Sequence, residues 1–178
     1  MRLCCEFDID GVDAAHKLAI LASLAFGTRL GFKQVHIEGL RDITALDFVY
    51  AKELGYRIKL LGLAGQTDAG VYQRVYPCLI DQEGPLAAVD GSFNAVIAEG
   101  DFVGRSVYEG RGAGAGPTAS AVVADLIDIA AGRLSLAFGV PAARLADLKA
   151  IPIKDRAGPF YIRLTVIDQP GVFADISS

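Results

Sequence analysis

The sequence predicts an α+β fold: a mixed, largely antiparallel sheet covered by helices. Three observations carry that expectation. Strand-like runs follow one another as hairpins, at 57–64 with 71–80 and at 92–99 with 102–108, instead of alternating with helices. Long apolar helical runs bracket them, at 12–26 and at 118–131. A chain of 178 residues with 52% hydrophobic side chains has material for one domain core, or for one domain plus a fragment.

The chain is organised around Asp10-Gly11-Val12-Asp13-Ala14-Ala15-His16-Lys17-Leu18, which opens the first helix. Asp10 is the expected N-cap, and Gly27 the expected stop after Phe26. Leu18 to Phe26 is apolar almost all the way round, the pattern of a buried helix. No strand precedes it. Asp13 and Lys17 lie four residues apart, on one face, with the acid on the N-terminal side. Two readings of the pair stand side by side. One is an ordinary helical ion pair. The other is a lysine acid/base held by an aspartate at the mouth of a cleft, because a lysine is seldom buried without a partner or a cleft to reach into.

Residues 28–33 read as a connector. Residues 34–39 alternate and form a short strand on which His36 merely sits. Thr44 caps a helix over 45–54, with Asp47 three residues on as a capping-box variant and Gly55 closing it. The first hairpin turns through 65–70, and Pro77 asks for an edge position or a bulge. Residues 85–89 form a helical turn, and the second hairpin turns at Gly100-Asp101.

Gly110-Arg111-Gly112-Ala113-Gly114-Ala115-Gly116-Pro117 then joins a strand to the helix 118–131. A glycine loop before a helix N-terminus suits an anion or the polar edge of a cofactor. A plain flexible connector fits it equally. It is not the dinucleotide fingerprint, since Ala115 and Pro117 stand where glycine is needed, and no Gly-Lys-Ser/Thr makes it a P-loop. Residues 140–147 suggest a short helix, and Pro152 and Pro159 mark a linker. Residues 160–168 alternate strongly as a strand, which is expected to pair with a sheet edge or another copy of the chain.

Composition excludes several classes. The net charge is −4 and the basic residues are scattered, so no nucleic-acid partner is expected. No charge-free apolar run spans a bilayer and no signal peptide opens the chain, so no membrane partner is expected. Cys4 and Cys5 are adjacent and Cys78 stands alone, a usage that fits the reducing cytoplasm. His16 and His36 have no ligand spacing, so no metal is expected.

The stretches 11–18, 51–61, 89–96 and 110–125 resemble homoserine dehydrogenase, closely across 7–131 and in the family's order. Residues 161–174 resemble the opening of an ACT regulatory module. The resemblance implies NAD(P)-dependent interconversion of L-homoserine and L-aspartate 4-semialdehyde, in threonine and methionine biosynthesis. It places the catalytic lysine on Lys17, its partner on Asp13, and an acidic substrate-binding position on Asp8. Substrate binding is implied for Asp8, Asp13 and Lys17. The loop backing the nicotinamide half of NADP or NAD falls on Gly110, Gly112, Ala113 and Gly114. A family glutamate for the substrate's amino group falls on Arg2 instead. A catalytic and dimerisation domain over 1–150, a linker over 151–159 and a truncated ACT-like start over 160–178 are expected. The family's Rossmann half is expected to be absent, leaving the isolated chain inactive and the cofactor bound mainly by the missing half. A homodimer acting on a small-molecule substrate is expected, with a non-catalytic dimerising remnant as the alternative.

Overall fold

The computed structural model describes residues 2–29, 31–133, 135–167 and 169–177. Two helices open it, α1 (Arg2–Ile9) and α2 (Val12–Phe26). The first was not anticipated: the sequence placed the start of helix at Asp10. Gly11 is the N-cap of α2, in the left-handed region with φ 78°, and it makes no side-chain cap. Asp10 instead binds the Arg41 guanidinium. Gly27 ends α2 as expected, at φ 60°.

One stripe of α2 is buried, formed by Ala15, Leu18, Ala19, Ala22 and Ser23. This is helical spacing, and it presses the stripe onto a three-stranded sheet. Val75 is fully buried at the centre of that contact, with Leu60, Ala64, Phe32 and Ile37 around it. Gly62 leaves room for Leu18: a Cβ there would lie 3.3 Å from Leu18 Cδ1. The other side of the helix corrects the expectation of all-round burial. Ile20, Leu21 and Leu24 are exposed, on the same side as Asp13 and Lys17.

The sheet has the order β1-β3-β2, with β1 (His36–Ile37), β2 (Tyr56–Thr67) and β3 (Gly70–Asp81). β2 and β3 form the expected hairpin, closed by Thr67 opposite Gly70. β1 runs parallel to β3 but pairs only Arg74 and Val75. Pro77 therefore lies where the outer edge of β3 is open, so its missing N–H costs no ladder bond. Farther back, Val71 N–H donates to the Lys149 carbonyl at 2.8 Å, and Ile151 N–H to the Val71 carbonyl at 2.9 Å.

α3 (Ala45–Glu53) packs on β2 and buries Ala51. The Thr44 backbone N–H and hydroxyl donate to the Asp47 carboxylate at 2.8 and 2.6 Å, so the capping-box reading holds. Asp47 is buried. These Thr44 donors hold its carboxyl well below the usual range, with Arg163 and Tyr161 adding to them. A depressed carboxylate stabilises the fold above its unfolded value of about 4 and loses that contribution as pH falls. The stability gap between wild type and Asp47→Asn is therefore full near neutrality and narrows in acid. Urea denaturation at about pH 7 and about pH 2.5 reads it, and a gap independent of pH contradicts it.

β4 (Phe93–Gly100) and β5 (Gly104–Arg111) form a second, separate two-stranded sheet. The helices and mixed strand directions are as expected, but two sheets stand where one was expected. α4 (Ala115–Ala130) follows, starting three residues before Thr118, and none of its residues is buried. Residues 142–144 make only a 3-10 turn. The expected strand at 160–168 is not found: residues 160–167 carry no ladder, and Asp168 lies outside the described residues. An alternating sequence needs a partner edge, and among the described residues this segment has none. A short helix, α5 (Val172–Ser177), follows.

Candidate active site

The joint between α1 and α2 positions the candidate residues. The chain turns at Gly11, in the left-handed region, and the joint lies close against the sheet. A Cβ on Gly11 would lie 2.9 Å from Val75 Cγ1, 3.4 Å from Ile37 Cγ2 and 3.5 Å from Leu60 Cδ2. The loop after β1 clamps it from outside. Leu40 N–H donates to the Ile9 carbonyl at 2.9 Å. Gly39 lies so close that a Cβ would sit 2.7 Å from that carbonyl. The Arg41 guanidinium then grips Asp10 in a fork, through Nε to one oxygen and Nη2 to the other at 2.9 Å. That grip lowers the Asp10 carboxyl and raises the Arg41 guanidinium. This explains why Asp10 does not cap α2: its side chain belongs to Arg41.

Asp8 and Asp13 flank this joint, Asp8 in the last turn of α1 and Asp13 in the first turn of α2. Lys17 Nζ donates to Asp13 Oδ2 at 2.5 Å. The two side chains are 64% and 45% exposed, so the pair adds little to stability and remains open to a ligand. Asp8 is exposed and makes no hydrogen bond to either among the described residues. His16 is stacked on Phe32, with ring centroids 4.0 Å apart and planes 3° from parallel, which fixes the outer side of the same turn.

The glycine segment lies on the second sheet. Gly110 faces Asn94 across β4 and β5. Gly112 N–H donates to the Ser92 carbonyl at 3.0 Å, and a Cβ on Gly112 would collide with the Asn94 side chain. Gly112 thus leaves room for the exposed Asn94 side chain of its own hairpin. Gly114 caps α4 at φ 112°, and Ala113 is exposed between them. A Cβ on Gly110 or Gly116 would meet nothing within 4 Å. Open backbone, together with the unpaired first amides of α4, fits the polar edge of a nucleotide. Pro117 removes one of those amides. No hydrogen bond joins residues 110–114 to Asp13 or Lys17 among the described residues.

Two surface grooves, of about 400 and 320 Å³, lie elsewhere. The first is lined by Ile80, Leu86, Ile97 and Arg105, the second by Phe48, Tyr56 and Ile58. Among the described residues, no group of three His, Cys, Asp or Glu side chains is arranged for a metal, and no helix is long and apolar enough to cross a membrane. Sequence reasoning missed Gly39 and Arg41. The only signal for them was a glycine two residues before an arginine, in a loop after a strand.

The homoserine dehydrogenase family model matches residues 5–127, which include the joint, Asp13, Lys17 and the whole glycine segment. A homoserine dehydrogenase of Pseudomonas aeruginosa is 45% identical over 180 residues, covering 97% of this chain and 41% of that protein. One from Helicobacter pylori is 46% identical over 173 residues, again covering 97% and 41%. The crystal structure of a homoserine dehydrogenase from Thiobacillus denitrificans superposes with a TM-score of 0.82 at 44% identity, over 96% of this chain and 41% of that one. An S. aureus homoserine dehydrogenase gives 0.66 at 39% identity, over 73% and 33%. The chain thus spans about 41% of the length of these curated relatives. With its fold and sequence both matching across the segment that holds the Asp13–Lys17 pair, the chain belongs to the homoserine dehydrogenase family.

Proposed function

We propose that this chain supplies the substrate-binding and acid/base part of an NAD(P)-dependent enzyme that interconverts L-homoserine and L-aspartate 4-semialdehyde in the cytoplasm. The observation that carries this reading is the 2.5 Å Asp13–Lys17 pair, exposed on a helix whose start is clamped against the sheet. Lys17 Nζ is the acid/base. As ammonium it protonates the alkoxide formed at the former aldehyde carbon, and in the opposite direction the neutral amine takes the proton of the homoserine hydroxyl. Asp13 aims Nζ and holds its positive charge. Asp8, across the joint, is an acidic substrate-binding position. When bound, the nicotinamide supplies or takes the hydride. Gly110, Gly112, Ala113 and Gly114 back its polar edge.

The spacing of the glycine loop lacks the dinucleotide fingerprint, so we assign the hold on NADP or NAD mainly to a separate nucleotide-binding unit. The 1–150 portion is the catalytic and dimerisation domain, 151–159 the linker, and 160–178 the start of an ACT-like module. A homodimer is supported by β2, whose outer edge is unpaired among the described residues. The test joins this chain to a nucleotide-binding domain of the family and measures homoserine-dependent reduction of NADP. Activity is expected. A folded fusion that binds the nucleotide but does not turn over homoserine contradicts the reading.

A further inference from the structure

Residues 160–167 have a strand's sequence and no strand's bonds. What holds them is a set of side-chain contacts. Tyr161 OH donates to Asp47 Oδ1 at 3.0 Å, and Arg163 Nε donates to the same oxygen at 2.7 Å. Arg163 Nη2 reaches Asp47 Oδ2 at 3.3 Å. Upstream, Arg156 Nε donates to Tyr76 OH at 3.2 Å, and its guanidinium lies 4.1 Å from the Phe160 ring centroid. The apolar side chains of the same segment point away: Phe160, Ile162 and Leu164 are 65%, 73% and 56% exposed. The segment is therefore seated by polar contacts, with little apolar burial to retain it.

We propose that residues 156–163 form a detachable strap whose seat is the Asp47 carboxylate. Tyr161 and Arg163 are two residues apart, so in an extended chain both face one side and reach one carboxylate. Asp47 is in turn fixed by Thr44 at the first turn of α3. The strap has two positions. Seated, it ties the C-terminal segment to α3. Released, it is an unpaired strand-former free to join a sheet edge. A segment held by few polar contacts opens locally at far less than the global free energy. The seat is thus the point at which the state of the C-terminal segment reaches the substrate domain. This inference does not depend on the proposed activity.

Limited chymotrypsin digestion of the intact chain tests it, because cleavage of a briefly opened segment tracks the population of the open form. The variants are Arg163→Gln with Tyr161→Phe, and Asp47→Asn. Both raise cleavage after Phe160 and Leu164 by about tenfold or more, the loss expected for hydrogen bonds to a charged group. In the Arg163→Gln/Tyr161→Phe variant, cleavage within β2 and β3 stays at the wild-type rate. Asp47→Asn also loosens the α3 cap, so for it the ratio of cleavage at 160–164 to cleavage in the hairpin is what rises. Adding Asp47→Asn to the double variant gives no further increase in that ratio, since the strap contacts all end on one carboxylate. Wild-type cleavage at 160–164 in the double variant overturns the proposal. So does a parallel rise within the hairpin, which would make these residues supports of the whole fold.

Discussion

Lys17→Met in the assembled enzyme lowers kcat for homoserine oxidation by about 10²–10⁴-fold, the range of a general acid/base. Its effect on KM is small by comparison. The structure separates this outcome from simple unfolding. Lys17 lies on the exposed side of α2, opposite the stripe of Ala15, Leu18 and Ala19, and its hydrogen-bond partner is Asp13 one turn earlier. Removing Nζ disturbs no buried contact, so thermal denaturation of the variant stays close to wild type. Asp13→Asn falls between the two, because an amide still accepts from Nζ but no longer balances its charge. Steady-state kinetics with homoserine and NADP reads both variants. Undiminished kcat in Lys17→Met moves the acid/base role to another side chain.

Gly11→Ala destabilises the chain by about 2–4 kcal/mol, while Gly27→Ala loses only about 1 kcal/mol. Both glycines are left-handed, at φ 78° and φ 60°, so both substitutions meet the same backbone penalty. They differ in what a methyl group finds. Nothing lies within 4 Å of a Cβ on Gly27, whereas one on Gly11 presses on Val75, Ile37 and Leu60. Val75 is fully buried, so it cannot yield without moving α2 or the sheet. Because Asp8 and Asp13 flank this joint, the same variant also lowers activity. Urea denaturation of the two variants side by side gives the answer. Equal losses contradict the packed joint.

Much of the architecture was legible because it is local. The β2–β3 hairpin, the capping box at Thr44 and Asp47, the stop at Gly27 and the Asp13–Lys17 pair each follow from residues within a few positions of one another. The errors share a different cause. Asp10 has the chemistry of an N-cap, but Arg41, thirty-one positions away, takes its carboxylate, and Gly11 starts the helix by backbone geometry alone. Residues 160–167 alternate as a strand should, yet a strand is defined by its neighbour, and Asp47 holds them by side chains instead. The full apolar circumference of α2 concealed which half is buried, since only the sheet decides that. The glycine segment joins β5 to α4, as its sequence suggested, but which glycines its own hairpin crowds was not legible. Gly112 makes way for Asn94, while Gly110 is open.

Chemical rescue tests the central claim most directly. The 64% exposure of the Lys17 side chain leaves room for a small amine once that side chain is cut back. With Lys17→Ala in the assembled enzyme, added primary amines restore homoserine oxidation in proportion to their concentration. The restored rate also varies with the basicity of the amine, as proton transfer in the transition state requires. A Lys17→Ala enzyme that no amine rescues, beside a Lys17→Arg enzyme of wild-type rate, would show that the site needs only a positive charge there and would contradict the acid/base role.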